Sequence, residues 1–170
     1  NKIGKKEWIK KIIPVCGYSG EVLTKNTFPK FDFIFVDGAH FFDGVKHDFF
    51  ASLNHVNKDF SILFDDYVNR ESYGIKNLID NDVSKKMDVT LIKTDTKNNL
   101  EKVINLQDRV YGMCLIDNHS SKIDPNTLYP KMERDAYIKN YLKFEKRLKY
   151  RNRVNNAFPM LKKIKFSFWK

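Results

Sequence analysis

Hydrophobic and polar residues alternate in blocks along the chain, and the apolar blocks are short. Five such blocks cover residues 12–16, 31–36, 60–64, 88–93 and 110–116. Runs of about four to eight residues that are apolar on both faces are typical of strands buried within a sheet. The pattern therefore predicts five strands, with helices on both faces of the sheet that they form.

Helical periodicity lies between several of these runs. Within residues 43–56, apolar side chains recur at spacings of four, four and three, at Val45, Phe49, Leu53 and Val56. Asp43 precedes them as a candidate N-cap. Residues 73–87 have the same kind of periodicity, and residues 127–154 predict one or two charged helices. Strands that alternate with helices indicate an α/β fold with a mostly parallel sheet.

The charge is concentrated at one end of the chain and divides it into two parts. The formal net charge is +10, yet residues 139–170 hold eleven Lys or Arg against one acid, Glu145. The remaining residues are neutral overall, which argues against extensive nucleic-acid contact by them. We therefore expect a domain over residues 1–118 and a basic, mainly helical extension over residues 119–170.

The end of this extension mixes lysines with large apolar side chains. Lys162, Lys163 and Lys165 stand among Phe158, Leu161, Ile164, Phe166, Phe168 and Trp169. Such a segment can dock on an anionic membrane surface or on nucleic acid. It can equally be a solvated extension that packs on the domain or on another copy of the chain. The sequence leaves these interpretations open, and it also leaves a homo-oligomer open.

The cysteines and the apolar runs give an expectation for the cellular compartment of the protein. Cys16 and Cys114 are isolated, without a CxxC spacing. No charged-then-apolar signal segment opens the chain, and no apolar run approaches the roughly 18 residues of a membrane span. We expect a reduced, cytoplasmic setting.

Three acids follow two of the predicted strands. Asp37 comes directly after residues 31–36, and Asp65 with Asp66 comes directly after residues 60–64. In an open parallel sheet, ligands bind outside the carboxyl ends of the strands. We expect the segments at residues 31–37 and 60–65 to be adjacent parallel strands, which brings the three carboxylates to one edge. Three carboxylates so placed repel one another unless a hard cation such as Mg²⁺ lies between them. The alternative is that Asp37 starts a turn with Gly38, while Asp65 and Asp66 cap the next segment.

The sequence around these acids resembles a known enzyme family. FDFIFVDGAHFFDGVKHDF followed by SILFDDY resembles the macrocin-type O-methyltransferases of methyltransferase family 24, whose fold is shared with catechol O-methyltransferase. The resemblance covers about residues 10–95 well and residues 96–118 loosely. It implies a class I S-adenosylmethionine-dependent methyltransferase with a Rossmann-like sheet, and it implies that the strand near residues 110–116 runs antiparallel to its neighbours.

The resemblance also implies roles for individual residues. Asp37, Asp65 and Asp66 would be ligands of a divalent metal, most simply Mg²⁺, which would acidify and aim the hydroxyl of the acceptor. Asp37 and His40 would be the catalytic residues, because catechol-type enzymes place a base at the position of His40. The alternative for His40 is a loop residue at the start of a helix.

The binding residues for S-adenosylmethionine follow from the same resemblance. IIPVCGYSGEVL resembles the third strand of the family and the turn after it, which lies against the adenine, so Tyr18 and Ser19 would bind the cofactor together with Asp37. The family more often has an acid where Tyr18 stands, and Tyr18 can alternatively pack at the rim of the sheet.

One departure from the family is large. The seven glycines form no G-x-G motif, so the glycine-rich turn that holds the methionine part of the cofactor is absent. The acid that follows the second strand of the family and binds the ribose of the cofactor is absent as well. We therefore expect an N-terminally truncated domain that lacks the first two strands of the family, which belong between residues 12–16 and 31–36 in the sheet.

Methyl transfer to a hydroxyl of a small molecule or sugar is the leading functional hypothesis. A metal-dependent hydrolase could also use an Asp-Asp-Asp-His site, with water activated by the metal. A third hypothesis is a degenerate, non-catalytic methyltransferase-like domain whose basic tail docks on nucleic acid or membrane.

Overall fold

The fold alternates helices and strands, as the hydrophobic pattern predicts. A computed structural model describes residues 10–25, 28–68, 73–93 and 112–157. The strands are β1 (Phe31–Val36), β2 (Val56–Phe64), β3 (Asp88–Lys93) and β4 (Gly112–Asp117). The helices are α1 (Ser19–Lys25), α2 (Phe42–Leu53), α3 (Gly74–Asn81), α4 (Pro125–Leu128) and α5 (Lys131–Ala157), and a 3₁₀ turn covers Val83–Lys85.

The four described strands form one sheet in the order β1-β2-β4-β3. β1 pairs with β2 in parallel, whereas β4 pairs with both β2 and β3 in antiparallel fashion. Three strands therefore run in the same direction, and β4 alone is reversed between β2 and β3. This arrangement confirms two predictions, namely the adjacent parallel strands near residues 31–37 and 60–65 and the antiparallel strand near residues 110–116. The result is a mixed α/β sheet that is consistent with a Rossmann-like fold.

Helix α2 connects β1 with β2, and its buried side chains form much of the core. Phe49 is fully buried and lies close to Phe64 of β2 and Tyr129, with ring centroids 6.3 and 5.3 Å apart. Along β2, Phe60, Ile62 and Phe64 are fully buried and alternate with partly exposed residues. The strand therefore turns one face towards the core, as the two-residue period of a strand requires.

The opposite face of the sheet is less covered. Phe33 and Phe35 of β1 are 55% and 50% exposed, although the sequence of β1 is apolar on both faces. The expectation of helices on both faces is thus not met at β1 by the described part of the chain. β1 is also an edge strand of the described sheet.

The predicted strand at residues 12–16 is wrong. This segment contains no strand, and Ile12 and Ile13 are 67% and 84% exposed. An apolar run becomes a strand only where a neighbouring strand can form hydrogen bonds with it. In the described part of the sheet β1 pairs with β2 alone, so residues 12–16 have no strand as a partner there. Pro14, which has no N–H group, further weakens pairing in this segment.

The helices after β4 pack on the preceding part of the chain. In the N-terminal half of α5, Ile138 is buried in the main core, and Tyr137 lies edge-on to Phe50 of α2 with ring centroids 5.4 Å apart. The ring of Tyr141 stacks on His47 of α2 at 4.4 Å. The C-terminal half of α5 is mostly exposed. Within the described ranges, no helix is both long and apolar enough to cross a bilayer.

Candidate functional site

Three acids meet at the carboxyl edge of the parallel strand pair. The register places Val36 beside Phe64, so Asp37 and Asp65 directly follow paired residues. The backbone N–H of Asp65 donates to the carbonyl oxygen of Val36 at 3.1 Å, which holds the two strand ends together. The structure thus brings these acids to the edge where open α/β sheets bind ligands.

Asp66 adopts an unusual backbone conformation that is coupled to its hydrogen bonds. Its φ is 58°, in the left-handed region that Asp tolerates better than most residues. Its backbone N–H donates to Oδ1 of Asp65 at 2.8 Å, and its own Oδ2 lies 3.2 Å from Nδ1 of His40. The turn therefore leaves Asp66 beside an imidazole and ties Asp65 to the backbone.

Besides Asp66, two further residues hold His40 in place. Its ring stacks on Tyr73 with a centroid distance of 4.7 Å and an interplanar angle of 21°. Its backbone carbonyl accepts a hydrogen bond of 2.5 Å from the N–H of Gly74. Its side chain is still 43% exposed, so a ligand can reach it. When Nδ1 donates its proton to Asp66, Nε2 carries the lone pair, and this is the arrangement of a general base.

Gly74 permits the close approach that places His40. A Cβ atom at this position would lie 2.2 Å from Cα and 2.3 Å from N of Phe42, and backbone atoms cannot rotate away.

We expect Gly74→Ala to displace the segment that carries His40 and to destabilise the protein by about 1–3 kcal/mol through overpacking. Urea denaturation of the variant measures this change. Asn77→Ala, at an exposed position of α3, is the control and should change stability by less than about 0.5 kcal/mol. An unchanged urea midpoint for Gly74→Ala would contradict the close approach.

A buried carboxylate links the two turns that the cofactor prediction names. Oδ1 of Asp48 accepts hydrogen bonds from the hydroxyl of Ser19 at 2.5 Å and from Nδ1 of His47 at 3.1 Å. Oδ2 of Asp48 lies 2.7 Å from the place where a Cβ of Gly38 would be, so a side chain at this position would displace the carboxylate. Asp48 thus bonds to Ser19 and packs against Gly38 in the turn after β1.

Sequence reasoning missed Asp48, although a signal was present. Asp48 stands three residues after Val45 and directly before Phe49, on the apolar side of α2, and it is buried. A charged residue on the buried side of a helix needs polar partners, and these partners indicate a structural or functional role.

Tyr18 and Asp37, the other residues predicted to bind the cofactor, have different surroundings from Ser19. Tyr18 is 39% exposed, and the ammonium of Lys149 lies 3.7 Å from the centroid of its ring. The hydroxyl of Ser19 is occupied by Asp48. Asp37 is exposed, and its carboxylate has no described hydrogen bond or ion pair. Among the described residues, Asp37 therefore presents a carboxylate without a partner, whereas the hydroxyl of Ser19 is not free.

The described acids do not form a metal cluster as they stand. Among residues 10–25, 28–68, 73–93 and 112–157, no group of three or more His, Cys, Asp or Glu side chains is arranged to hold a metal ion. Asp65 accepts from the backbone, and Asp66 contacts His40. The assignment of Asp37, Asp65 and Asp66 as metal ligands stays a prediction.

The first part of the chain matches a known protein family. A family described as a methyltransferase domain matches residues 7–67, which include β1, α2, β2 and the three acids. No curated protein and no solved structure matches the chain. The family match supports a class I methyltransferase domain in this part of the chain, with S-adenosylmethionine implied as its methyl donor.

Proposed function

We propose that the protein transfers a methyl group from S-adenosylmethionine to a hydroxyl of a small molecule or sugar. The observation that carries this proposal is the contact of 3.2 Å between Nδ1 of His40 and Oδ2 of Asp66 at the carboxyl edge of the sheet. A hydroxyl is a weak nucleophile until a base takes its proton, and an oriented imidazole supplies that base.

His40 acts as the general base, and Asp66 is its positioning residue. Asp66 accepts from Nδ1 and thereby leaves Nε2 free to take the proton of the acceptor hydroxyl. The carboxylate also stabilises the imidazolium that forms when the proton arrives. Tyr73 stacks on the ring and restricts its rotation, so the orientation of Nε2 is set before the acceptor binds.

The cofactor assignment rests on the groups at the same edge. Asp37 fits S-adenosylmethionine, because an exposed carboxylate accepts hydrogen bonds from amino or hydroxyl groups. Asp48 bonds to Ser19 and packs against Gly38, so the turns at these two residues lie close enough to contact one ligand. When bound, the cofactor supplies an activated methyl group. Tyr18 and Ser19 would contribute through ring and backbone contacts, since the hydroxyl of Ser19 is already occupied.

Transfer of a labelled methyl group tests this function. The protein is incubated with methyl-labelled S-adenosylmethionine and a panel of catechols, other phenols and sugars, with and without EDTA. We expect label in at least one hydroxyl product. Transfer that persists in EDTA would mean that the reaction does not require a bound metal. Loss of transfer in EDTA and its recovery with Mg²⁺ would instead give Asp37, Asp65 and Asp66 the ligand role that the resemblance implies. Absence of label from every acceptor would count against methyl transfer.

A further inference from the structure

A groove with cationic walls lies at the edge of the sheet opposite the candidate active site. It has a volume of about 830 Å³ and runs between α1, the segments that precede β1 and β2, and α5. Lys30 precedes β1, and Asn54 and His55 precede β2, so the groove is at the amino ends of these strands. Asp37 and Asp65 lie at the carboxyl ends. The groove is therefore separate from the proposed site of methyl transfer.

The groove combines an apolar floor with an excess of positive charge. Its apolar lining residues are Leu23, Phe28, Ile138 and Leu142, and its basic ones include Lys30, Lys131, Lys139, Lys143 and Lys146. The one acid in the lining, Asp135, pairs with Lys131, and Lys146 pairs with Glu21 of α1. Lys139 and Lys143 have no acidic partner among the described residues. Unpaired cations this close to one another favour an anionic ligand.

The positive surface continues beyond the groove on both sides. A second hollow of about 430 Å³ shares Lys30 and Lys131 with the groove and adds Lys58, while its other charged lining residues are Asp124 and the buried Arg134. In the other direction, Arg147 and Arg153 extend the basic side of α5, which spans 27 residues and is therefore about 40 Å long. The cations thus cover an extended surface rather than one small pocket.

The exposed face of α5 carries apolar side chains between its cations. Met132, Lys139, Lys143, Lys146 and Tyr150 follow one another at spacings of seven, four, three and four, which places them on one side of the helix. Met132 is 81% exposed and Tyr150 is 67% exposed. A helix face that binds only the phosphodiester backbone of nucleic acid gains nothing from these two apolar side chains. The interface of a bilayer, in contrast, accommodates both charged and apolar groups.

The sequence after α5 has the same composition. Residues 158–170, which lie outside the described residues, alternate lysines with Phe, Leu, Ile and Trp. Lys and Arg next to Trp, Phe and Leu are the side chains that bind interfacial helices to anionic lipids. This composition favours a membrane over nucleic acid as the partner of the basic surface.

We propose that the groove and the exposed face of α5 bind the anionic surface of a lipid membrane. The ammonium groups of Lys139 and Lys143 contact lipid phosphates, while Met132 and Tyr150 enter the headgroup layer. The apolar floor of the groove receives the upper part of a lipid chain. This placement leaves the opposite edge of the sheet, with His40 and Asp37, open to solvent.

Sedimentation with vesicles tests the proposal. The protein is mixed with vesicles of phosphatidylcholine that contain phosphatidylserine, and in parallel with vesicles of phosphatidylcholine alone. We expect binding to the anionic vesicles that weakens as salt is added. The double variant Lys139→Gln/Lys143→Gln should bind about 30-fold more weakly, since each basic residue near an anionic leaflet contributes about a fivefold factor.

One control removes the same amount of charge elsewhere. Lys85→Glu, on the exposed 3₁₀ turn before β3, lowers the formal charge by two, as the double variant does. It should reduce vesicle binding much less, and circular dichroism confirms that each variant is folded. Equal losses for the control and the double variant would show that net charge alone drives binding, and this result would overturn the assignment to α5.

A second pair of substitutions distinguishes a membrane from nucleic acid. Met132→Ser/Tyr150→Ser should weaken vesicle binding by roughly tenfold, because burial of two apolar side chains is lost. The same variant should not alter the affinity for a single-stranded RNA oligonucleotide. Tighter binding to RNA than to anionic vesicles, or equal binding to both kinds of vesicle, would refute the proposal.

Discussion

Replacement of His40 by Ala should lower kcat for methyl transfer by about 100- to 10,000-fold, the usual contribution of a general base. The acceptor hydroxyl then loses the group that takes its proton. The affinity for S-adenosylmethionine should stay nearly unchanged, since His40 belongs to the acceptor side of the proposed site. Steady-state kinetics together with calorimetric titration of the cofactor separates these two effects.

The chain offers a matched control for this experiment. His119 is another exposed histidine beside an acid, with Nε2 3.8 Å from Oδ1 of Asp117. Asp117 pairs with Ser61 within β2, so His119 lies away from the carboxyl edge that carries Asp65. His119→Ala should leave kcat unchanged. If His40→Ala is as harmless as His119→Ala, the hydroxyl is activated by another group.

Asp66→Asn tests the positioning role of the carboxylate. The amide can still accept from Nδ1 of His40, yet it cannot stabilise the imidazolium by charge. The variant should therefore lose less activity than His40→Ala and should alter the pH–rate profile. A purely structural role of Asp66 would lower activity equally at every pH.

The second large effect concerns the core. Phe49→Ala should lower the free energy of unfolding by about 3–5 kcal/mol, because a fully buried phenyl ring is replaced by a cavity. Phe49 is completely buried and lies close to Phe50, Phe64 and Tyr129, so the cavity would open where α2, β2 and the segment before α5 meet. For a domain of typical stability this is a large fraction of the total. Chemical denaturation followed by circular dichroism measures it.

Phe33→Ala serves as the comparison for Phe49→Ala. Both substitutions remove the same side chain, but Phe33 is 55% exposed on the outer face of β1. Its removal should cost about 1 kcal/mol or less. A cost as large as that of Phe49→Ala would mean that another surface covers the outer face of β1 in solution.

The local features of the fold could be predicted from the sequence. Apolar periodicity is a property of neighbouring residues, and for that reason the strands at residues 31–36 and 88–93 were predicted to the residue. The helix predicted over residues 43–56 was located correctly but ends at Leu53, and Val56 begins β2. The strand-end acids followed from the same pattern, because an acid after a buried run marks the point where the chain leaves the core. The reversed strand β4 followed from the resemblance alone.

Long-range pairing decided the remaining features. The run at residues 12–16 has the composition of a strand, yet the described sheet offers it no ladder, and it is irregular and exposed. The contacts of His40 with Asp66 and Tyr73, and of Asp48 with Ser19, join residues from 26 to 33 positions apart in the sequence. Periodicity carries no information at that separation. By itself, the sequence determined which residues reach the carboxyl edge, because strand ends are local features. The tertiary structure alone decided which of these residues contact each other, because the turns at Asp66 and Gly74 set the distances between them.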